Sequence, residues 1–401
     1  MNKKYHPFLA VVASCVAIFL PGALVFGFPG VMGMHWQQIF GVGRADVGQT
    51  LFFVLAAVGI FMFVTGRLQE KIRPAWVMAL GALIYGPSTV MVGHAASIHW
   101  VYLWAFLTGT SSAFIYLPAL TVVQHWYPQR RGLVSGLVSM FFGLSGAVMA
   151  PIFSRIFQIL GYTTLTYVVG TVFTIIGLVT VVFIRLPQAS SAANQKAEVV
   201  TPGTLSLNLW QSLRTRSFWL LWFTYAFVGA AGIAMVTLTT SFGLSHGLAM
   251  PQAILLLMAF NITNGFSRLI SGFLSDILGR KTVMISTFLM AGGAYYLFPH
   301  VSGITIWSVL AAVIGFAFGT LFAVSAPLVS DCFGMEHFGT IFGVVFTAFG
   351  FVSGALGPWL GGYLLDLTQG NFTLVYAYLG SLMISSSVMI WITTPYTECT
   401  F

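Results

Sequence analysis

One arginine in this chain falls where a charge is expensive. Arg268 lies in an apolar run over 251–278, about ten residues from its end, so it sits near mid-membrane if that run crosses a bilayer. A charge at that depth costs about 2.5–3.5 kcal/mol even on the lenient insertion scale, and such residues mark ligand or ion pathways. Asn261, Asn264 and Arg268 are spaced i, i+3 and i+7, which puts them on one face of a helix. A guanidinium beside amides suits a carboxylate, which it grips through two parallel hydrogen bonds. The competing reading is an arginine paired with another helix purely for structure. That reading lacks a partner: Asp46, Glu70, Glu198, Asp276, Asp331, Glu336, Asp366 and Glu398 all fall in loops or at the ends of apolar runs, and an uncompensated buried charge is strongly unfavourable.

A second group follows in the same run: Gly272-Phe-Leu-Ser-Asp276-Ile-Leu-Gly279-Arg280-Lys281. Simple basic anchoring of a loop accounts for Arg280 and Lys281 but not for Asp276 with its flanking glycines. A carboxylate there is placed for ionic contact with arginine and with helix N-termini. Other chemistries find no support. Cys15, Cys332 and Cys399 are scattered and odd in number, which points to neither a disulfide framework nor a thiolate metal site. Gly143-Leu144-Ser145-Gly146 has the look of an intramembrane serine motif, but that chemistry needs a mid-membrane histidine base. His35, His94, His99, His246 and His300 map to one side of the membrane and His6, His125 and His337 to the other, read as solvated interfacial histidines. No G-x-x-x-x-G-K-[ST] segment occurs. The expectation is a protein that is not an enzyme and needs no cofactor.

The elements that position these residues are written in the composition. Of 401 residues 58% are hydrophobic and 6% charged, against roughly 25% charged in a soluble domain, and mean hydropathy is +0.93. Lipid must be the solvent for most of the chain. Apolar runs long enough to cross a hydrocarbon core of about 30 Å fall near 8–34, 46–69, 74–94, 99–125, 131–159, 162–185, 217–246, 251–278, 281–301, 303–332, 338–368 and 371–396. The first, behind Lys3 and Lys4, lacks a small-residue cleavage site and reads as a retained span. The polar stretch 186–216, with Pro187, Lys196, Glu198 and Pro202, reads as a loop between halves 1–185 and 217–401. Sorted by side, Arg67, Lys71, Arg73, Arg130, Arg131, Arg185, Lys196, Arg214, Arg216, Arg280 and Lys281 share the face of the N-terminus, while Arg44 and Arg155 lie opposite. Positive charge retained inside sets orientation, so both termini are expected in the cytoplasm of a cell bounded by this inner membrane. The net charge of +8 is therefore topology, not a nucleic-acid footprint. Gly132, Gly136, Gly143 and Pro151 recur at constant spacing as Gly339, Gly343, Gly350 and Pro358, and Gly66 to Glu70 recur at nearly that spacing as Gly272 to Asp276. A repeat of six spans keeps its orientation, which gives an all-α integral membrane fold of twelve transmembrane helices in two pseudo-symmetric six-helix bundles. Such repeats build alternating-access transporters with a midplane site.

The Gly272–Lys281 segment is similar to the cytoplasmic loop signature of the major facilitator superfamily, with a degenerate copy at Gly66, Glu70 and Arg73. Trp126-Tyr-Pro-Gln-Arg-Arg131-Gly-Leu-Val-Ser-Gly136 resembles the signature that opens span five in monocarboxylate transporters and bacterial oxalate/formate exchangers. The acidic, aromatic signature of many monocarboxylate transporters is absent from span one, which reads Pro21-Gly-Ala-Leu-Val-Phe-Gly-Phe28 and suits a distant bacterial member. What the resemblance implies is a gating group of Gly272, Asp276, Gly279 and Arg280 with Glu70 and Arg131, and a substrate carboxylate on Arg268. It also implies Tyr116 on the cavity face of span four, where its hydroxyl can donate to substrate, and Asn264 where relatives carry a proton-coupling aspartate. Phe322 in span ten is a candidate wall of the site, against the plainer reading that it packs helices. Where exchangers carry a second basic residue in span eleven this chain has Val345; one cation suits one carboxylate. The expected function is a secondary transporter that moves a small monocarboxylate such as L-lactate or pyruvate with a proton, working as a monomer in the lipid bilayer. An oxalate/formate-type exchanger and a carboxylate-sensing transceptor are the alternatives.

Overall fold

The computed structural model describes residues 7–187 and 206–394. The charges and most of the polar linker that fall on 1–6, 188–205 and 395–401 lie outside the described residues. Among those described, the chain is helical throughout: α1 Pro7–Gly22, a π-helical turn Ala23–Gly27, α2 Phe28–Phe40, α3 Arg44–Gln69, α4 Pro74–Val92, α5 Ile98–Trp126, α6 Arg131–Val181, α7 Leu209–Leu213, α8 Arg216–Ser245, α9 Met250–Leu278, α10 Arg280–Leu297, α11 Ile304–Phe333, α12 Phe338–Ala348, two π-helical turns Phe349–Ser353 and Ala355–Trp359, α13 Leu360–Leu367 and α14 Phe372–Ile392. Among the described residues, eleven segments are long and apolar enough to cross a membrane. One of them, Pro128–Val181, has 54 residues, about twice what a bilayer needs. It is broken at Gly161, whose φ of 76° only glycine adopts readily, so it holds the two spans expected at 131–159 and 162–185. Side chains such as Trp76, Ile277 and Trp391 stand 63–70% exposed, or nearly so, on these helices, a surface for lipid and not for water.

The ends follow ordinary capping chemistry. Pro74 opens α4, where its missing N–H costs nothing. Asp46 Oδ2 accepts the Gly43 N–H at 2.9 Å at the start of α3. Asn208 and Gln211 cap α7 reciprocally at 2.8 and 2.9 Å, so the end of the stretch expected as a plain loop folds into a helical turn. That turn is anchored by the Leu207 N–H donating to the Phe333 carbonyl at 3.0 Å.

The chain divides into two compact units, one of Met1–Pro128 with Phe141–Thr201 and the other of Gln129–Met140 with Pro202–Phe401. The first ten residues of α6 thus pack with the second unit. In the first unit Phe28, Trp36, Trp104 and Phe153 form a buried cluster, and Trp36 Nε1 donates to the Tyr162 hydroxyl at 2.9 Å. In the second, Phe242 is ringed by Phe298, Trp307, Phe372 and Tyr376 with centroids 5.0–5.3 Å apart.

Two glycine seams in the second unit position the site. A Cβ on Gly315 or Gly319 of α11 would stand 2.2 Å from the Phe260 carbonyl oxygen or 2.3 Å from that of Asn264, so α9 and α11 run parallel in backbone contact. A Cβ on Gly136 of α6 would stand 2.2 Å from the Arg268 carbonyl oxygen, and one on Gly132 would stand 2.3 Å from that of Gly272. Helix α6 therefore crosses α9 antiparallel and equally close. In lipid, where apolar area gives helices little reason to associate, small residues at the crossing supply the contact.

Candidate functional site

Continuing the α9–α11 register by one turn beyond Gly319 brings Phe322 beside Arg268. The guanidinium carbon lies 4.7 Å from the Phe322 ring centroid, within cation–π range. Arg268 is 3% exposed. Its Nη1 donates to the Ser139 carbonyl of α6 at 3.0 Å and its Nη2 to Asn264 Oδ1 at 3.4 Å. Neutral groups from three helices thus meet at this cation. Around Phe322 stand Phe318, Phe346 and Phe349 at centroid distances of 5.2–6.1 Å, and Tyr225 at 6.5 Å. Asn261, on the same helix face, is exposed. Val345, fully buried in α12, is one of the apolar residues of this unit.

At the Asp276 end of α9 the carboxylate accepts two backbone N–H groups of α6, from Gly132 at 3.0 Å and from Leu133 at 2.8 Å. It thereby caps that helix and meets its positive dipole end. Arg280 Nη1 also contacts Asp276 Oδ1 and the Ser275 hydroxyl at 2.8 Å. Asp331, at the end of α11, joins the cluster: Arg280 Nε is 3.2 Å away and Arg131 Nη1 is 3.4 Å away. Gly279 makes this possible with a φ of 91° between α9 and α10, turning the chain so that Arg280 folds back on Asp276. A cavity of about 290 Å³ opens beside the carboxylate, lined by Gln129, Arg130, Leu133, Phe273, Asp276 and Ile277; Arg268 lies outside it.

The second unit brings together Arg268, Asn264 and Phe322, and separately Gly272, Asp276, Gly279, Arg280 and Arg131. Tyr116 and Glu70 belong to the first unit. There Tyr116 is buried, with its ring 5.5 Å from Phe142, and Glu70 Oε2 is 3.4 Å from Arg67 Nη1. Sequence reasoning missed Asp331 and Ser139. Asp331 carried no one-dimensional signal, because only the α9–α11 register sets it beside Arg280. Ser139 carried a faint one, since Ser135 and Ser139 follow Gly132 and Gly136 at helical spacing.

Comparison with known proteins decides the family. The model of the Major Facilitator Superfamily matches residues 14–257 and 230–398. The chain belongs to that superfamily. It is a multi-pass membrane transporter of the superfamily's fold. The oxalate:formate antiporter of Oxalobacter formigenes is 27% identical over 285 residues, 71% of this chain and 67% of that protein. Monocarboxylate transporter 13 of Rattus norvegicus is 23% identical over 399 residues, 95% of this chain and 88% of that one. Among solved structures, the E. coli fucose:proton symporter superposes with a TM-score of 0.72 at 16% identity, covering 98% of this chain and 100% of that one. The proton:xylose symporter gives 0.69 at 13% identity over 98% and 97%. These two show the shared fold alone.

Proposed function

We propose that this superfamily member carries a short monocarboxylate, L-lactate, pyruvate or a close analogue, by alternating access across the cytoplasmic membrane, with a proton. The observation that carries this reading is Arg268, a cation 3% exposed in the middle of an apolar helix, beside the Ser139 carbonyl, the Asn264 amide and the Phe322 ring. A carboxylate supplies the opposite charge and matches the guanidinium fork. Asn264 and Phe322 complete the substrate site, and Tyr116 contributes a hydroxyl. Two relatives are named for carboxylate substrates, the oxalate:formate antiporter and monocarboxylate transporter 13, which supports the ligand class. Gly272, Asp276, Gly279 and Arg280, with Glu70 and Arg131, act as the gating group on the cytoplasmic side. The halves 1–185 and 217–401 move about the site, joined by 186–216, and both termini are cytoplasmic.

The residue one turn before Arg268 is the neutral Asn264, so the proton leaves with the substrate and not on a dedicated carboxylate there. One guanidinium binding one carboxylate together with a proton moves the neutral acid. Similarity to an antiporter favours anion exchange as the second reading. Uptake of labelled L-lactate into proteoliposomes separates the two. A proton gradient directed inward drives accumulation into empty vesicles under the symport reading. Accumulation seen only with formate or lactate trapped inside overturns it in favour of exchange.

A further inference from the structure

Arg268 reaches across to the backbone of another helix, α6. Its Nη1 donates to the Ser139 carbonyl at 3.0 Å, and that carbonyl belongs to the stretch of α6 that packs with the second unit. The Ser139 hydroxyl donates back to the Ser135 carbonyl and stands 3.4 Å from the Phe322 carbonyl. Ser139 therefore touches the helix of the cation and the helix of the ring beneath it. Back-bonding of a serine hydroxyl to the i−4 carbonyl slightly destabilises a helix and often bends it, which eases the access of a second donor to a carbonyl there. The crossing is tight: a Cβ on Gly136 would stand 2.2 Å from the Arg268 carbonyl oxygen, so α6 and α9 move apart here only if the guanidinium lets go.

We propose that Ser139 is a positioning residue for Arg268: its carbonyl is the resting partner of the guanidinium, and the incoming substrate carboxylate displaces it. The inference rests on the reading that Arg268 takes a carboxylate. A carbonyl offers a partial charge and one oxygen, a carboxylate a full charge and two, so the substrate wins the exchange. Part of its binding free energy goes into breaking the resting contact, which lowers apparent affinity as any competing internal partner does. The same step frees the first turns of α6 from α9 and α11. Those turns end on the N–H groups of Gly132 and Leu133 that Asp276 caps, so occupancy at Arg268 is transmitted along one helix to the charge cluster.

Two measurements on the purified, detergent-solubilised full chain test this. The first is calorimetric titration with L-lactate of wild type, Ser139→Ala and Ser139→Thr. Losing the hydroxyl lets the carbonyl swing away, so Ser139→Ala binds at least roughly threefold tighter, the change one modest hydrogen bond carries, and Ser139→Thr returns to the wild-type value. A merely structural serine gives unchanged or weaker binding in Ser139→Ala, and that outcome overturns the proposal. The second needs no ligand. Ser135 is fully buried in the seam, so Ser135→Cys, in a chain whose Cys15, Cys332 and Cys399 are replaced by alanine, reacts slowly with a hydrophilic maleimide. Adding Arg268→Met, which keeps the length of the side chain without its charge, raises that rate about tenfold or more. An unchanged rate overturns the proposal. Should the double variant fail to fold, L-lactate added to Ser135→Cys with Arg268 intact raises the rate, and no rise overturns it. A faster rate with Arg268→Met, but no heat from L-lactate on wild type, removes the substrate and leaves the positioning role in place.

Discussion

Replacing Phe322 isolates what the ring contributes to the cation. An aromatic face under a desolvated guanidinium is worth about 0.5–2 kcal/mol. Phe322→Leu keeps apolar volume but loses the π-face, so we expect it to raise the KM for L-lactate several-fold, with Phe322→Tyr near wild type; equal KM values in both would mean that the ring only packs. Asp276→Asn should act elsewhere. It keeps the side-chain volume while removing the charge that caps α6 and pairs with Arg280, and hydrogen bonds to charged groups contribute about 1.5–3 kcal/mol each. We expect transport to fall at least tenfold with equilibrium L-lactate binding retained, read by comparing flux with calorimetry. At this scale Arg268 and Asp276 were legible because a charge within an apolar run is conspicuous. Ser139 and Asp331 were not, because their importance comes from partners in other helices.

The helices owe their close packing to a few small residues, and these give the sharpest predictions for the elements. A methyl group on Gly132 would meet the Gly272 carbonyl oxygen at 2.3 Å, and one on Gly319 the Asn264 carbonyl oxygen at 2.3 Å. Backbone cannot yield as a flexible side chain can, so Gly319→Ala must push α11 from α9 and lift Phe322 off the guanidinium. We expect it to lower the thermal unfolding midpoint by several degrees, while Gly293→Ala, where a Cβ meets open space, leaves it unchanged. Matching midpoints would show that the seam tolerates widening. Many span limits were readable to within a few residues from hydropathy alone, as at 251–278 against Met250–Leu278, because lipid demands a continuous apolar stretch of fixed length; the first, expected over 8–34, runs on to Phe40. The π-helical turns at Ala23–Gly27, Phe349–Ser353 and Ala355–Trp359 were not readable. They insert a residue into the helical ladder in response to tertiary packing, and apolar composition is the same on either side of them.

Taken whole, the chain orders its charges by membrane side, and this governs orientation. Thirteen basic residues assigned to one face against two on the other predict, by the positive-inside rule, that both termini lie inside. Alkaline phosphatase fused after Pro187 or after Phe401 should therefore stay inactive in a bacterial host, whereas fusion in the loop between α4 and α5 should be active. An active C-terminal fusion would invert the topology. The fold was legible at this scale because composition, span count and the repeat of Gly132 to Pro151 as Gly339 to Pro358 all speak of the same architecture. The packing of Gln129–Met140 with the second unit was not, since a run of apolar residues carries no label for its neighbours. Substrate binding as proposed turns on one cation, Arg268. The measurement that tests it most directly is saturable uptake of labelled L-lactate by wild type, Arg268→Lys and Arg268→Ala in proteoliposomes of equal protein content. A lysine keeps the charge but loses the two-pronged geometry, so we predict that Arg268→Lys retains a few per cent of wild-type uptake and Arg268→Ala none above empty vesicles. Wild-type uptake by Arg268→Ala would contradict the assignment of the carboxylate to this residue.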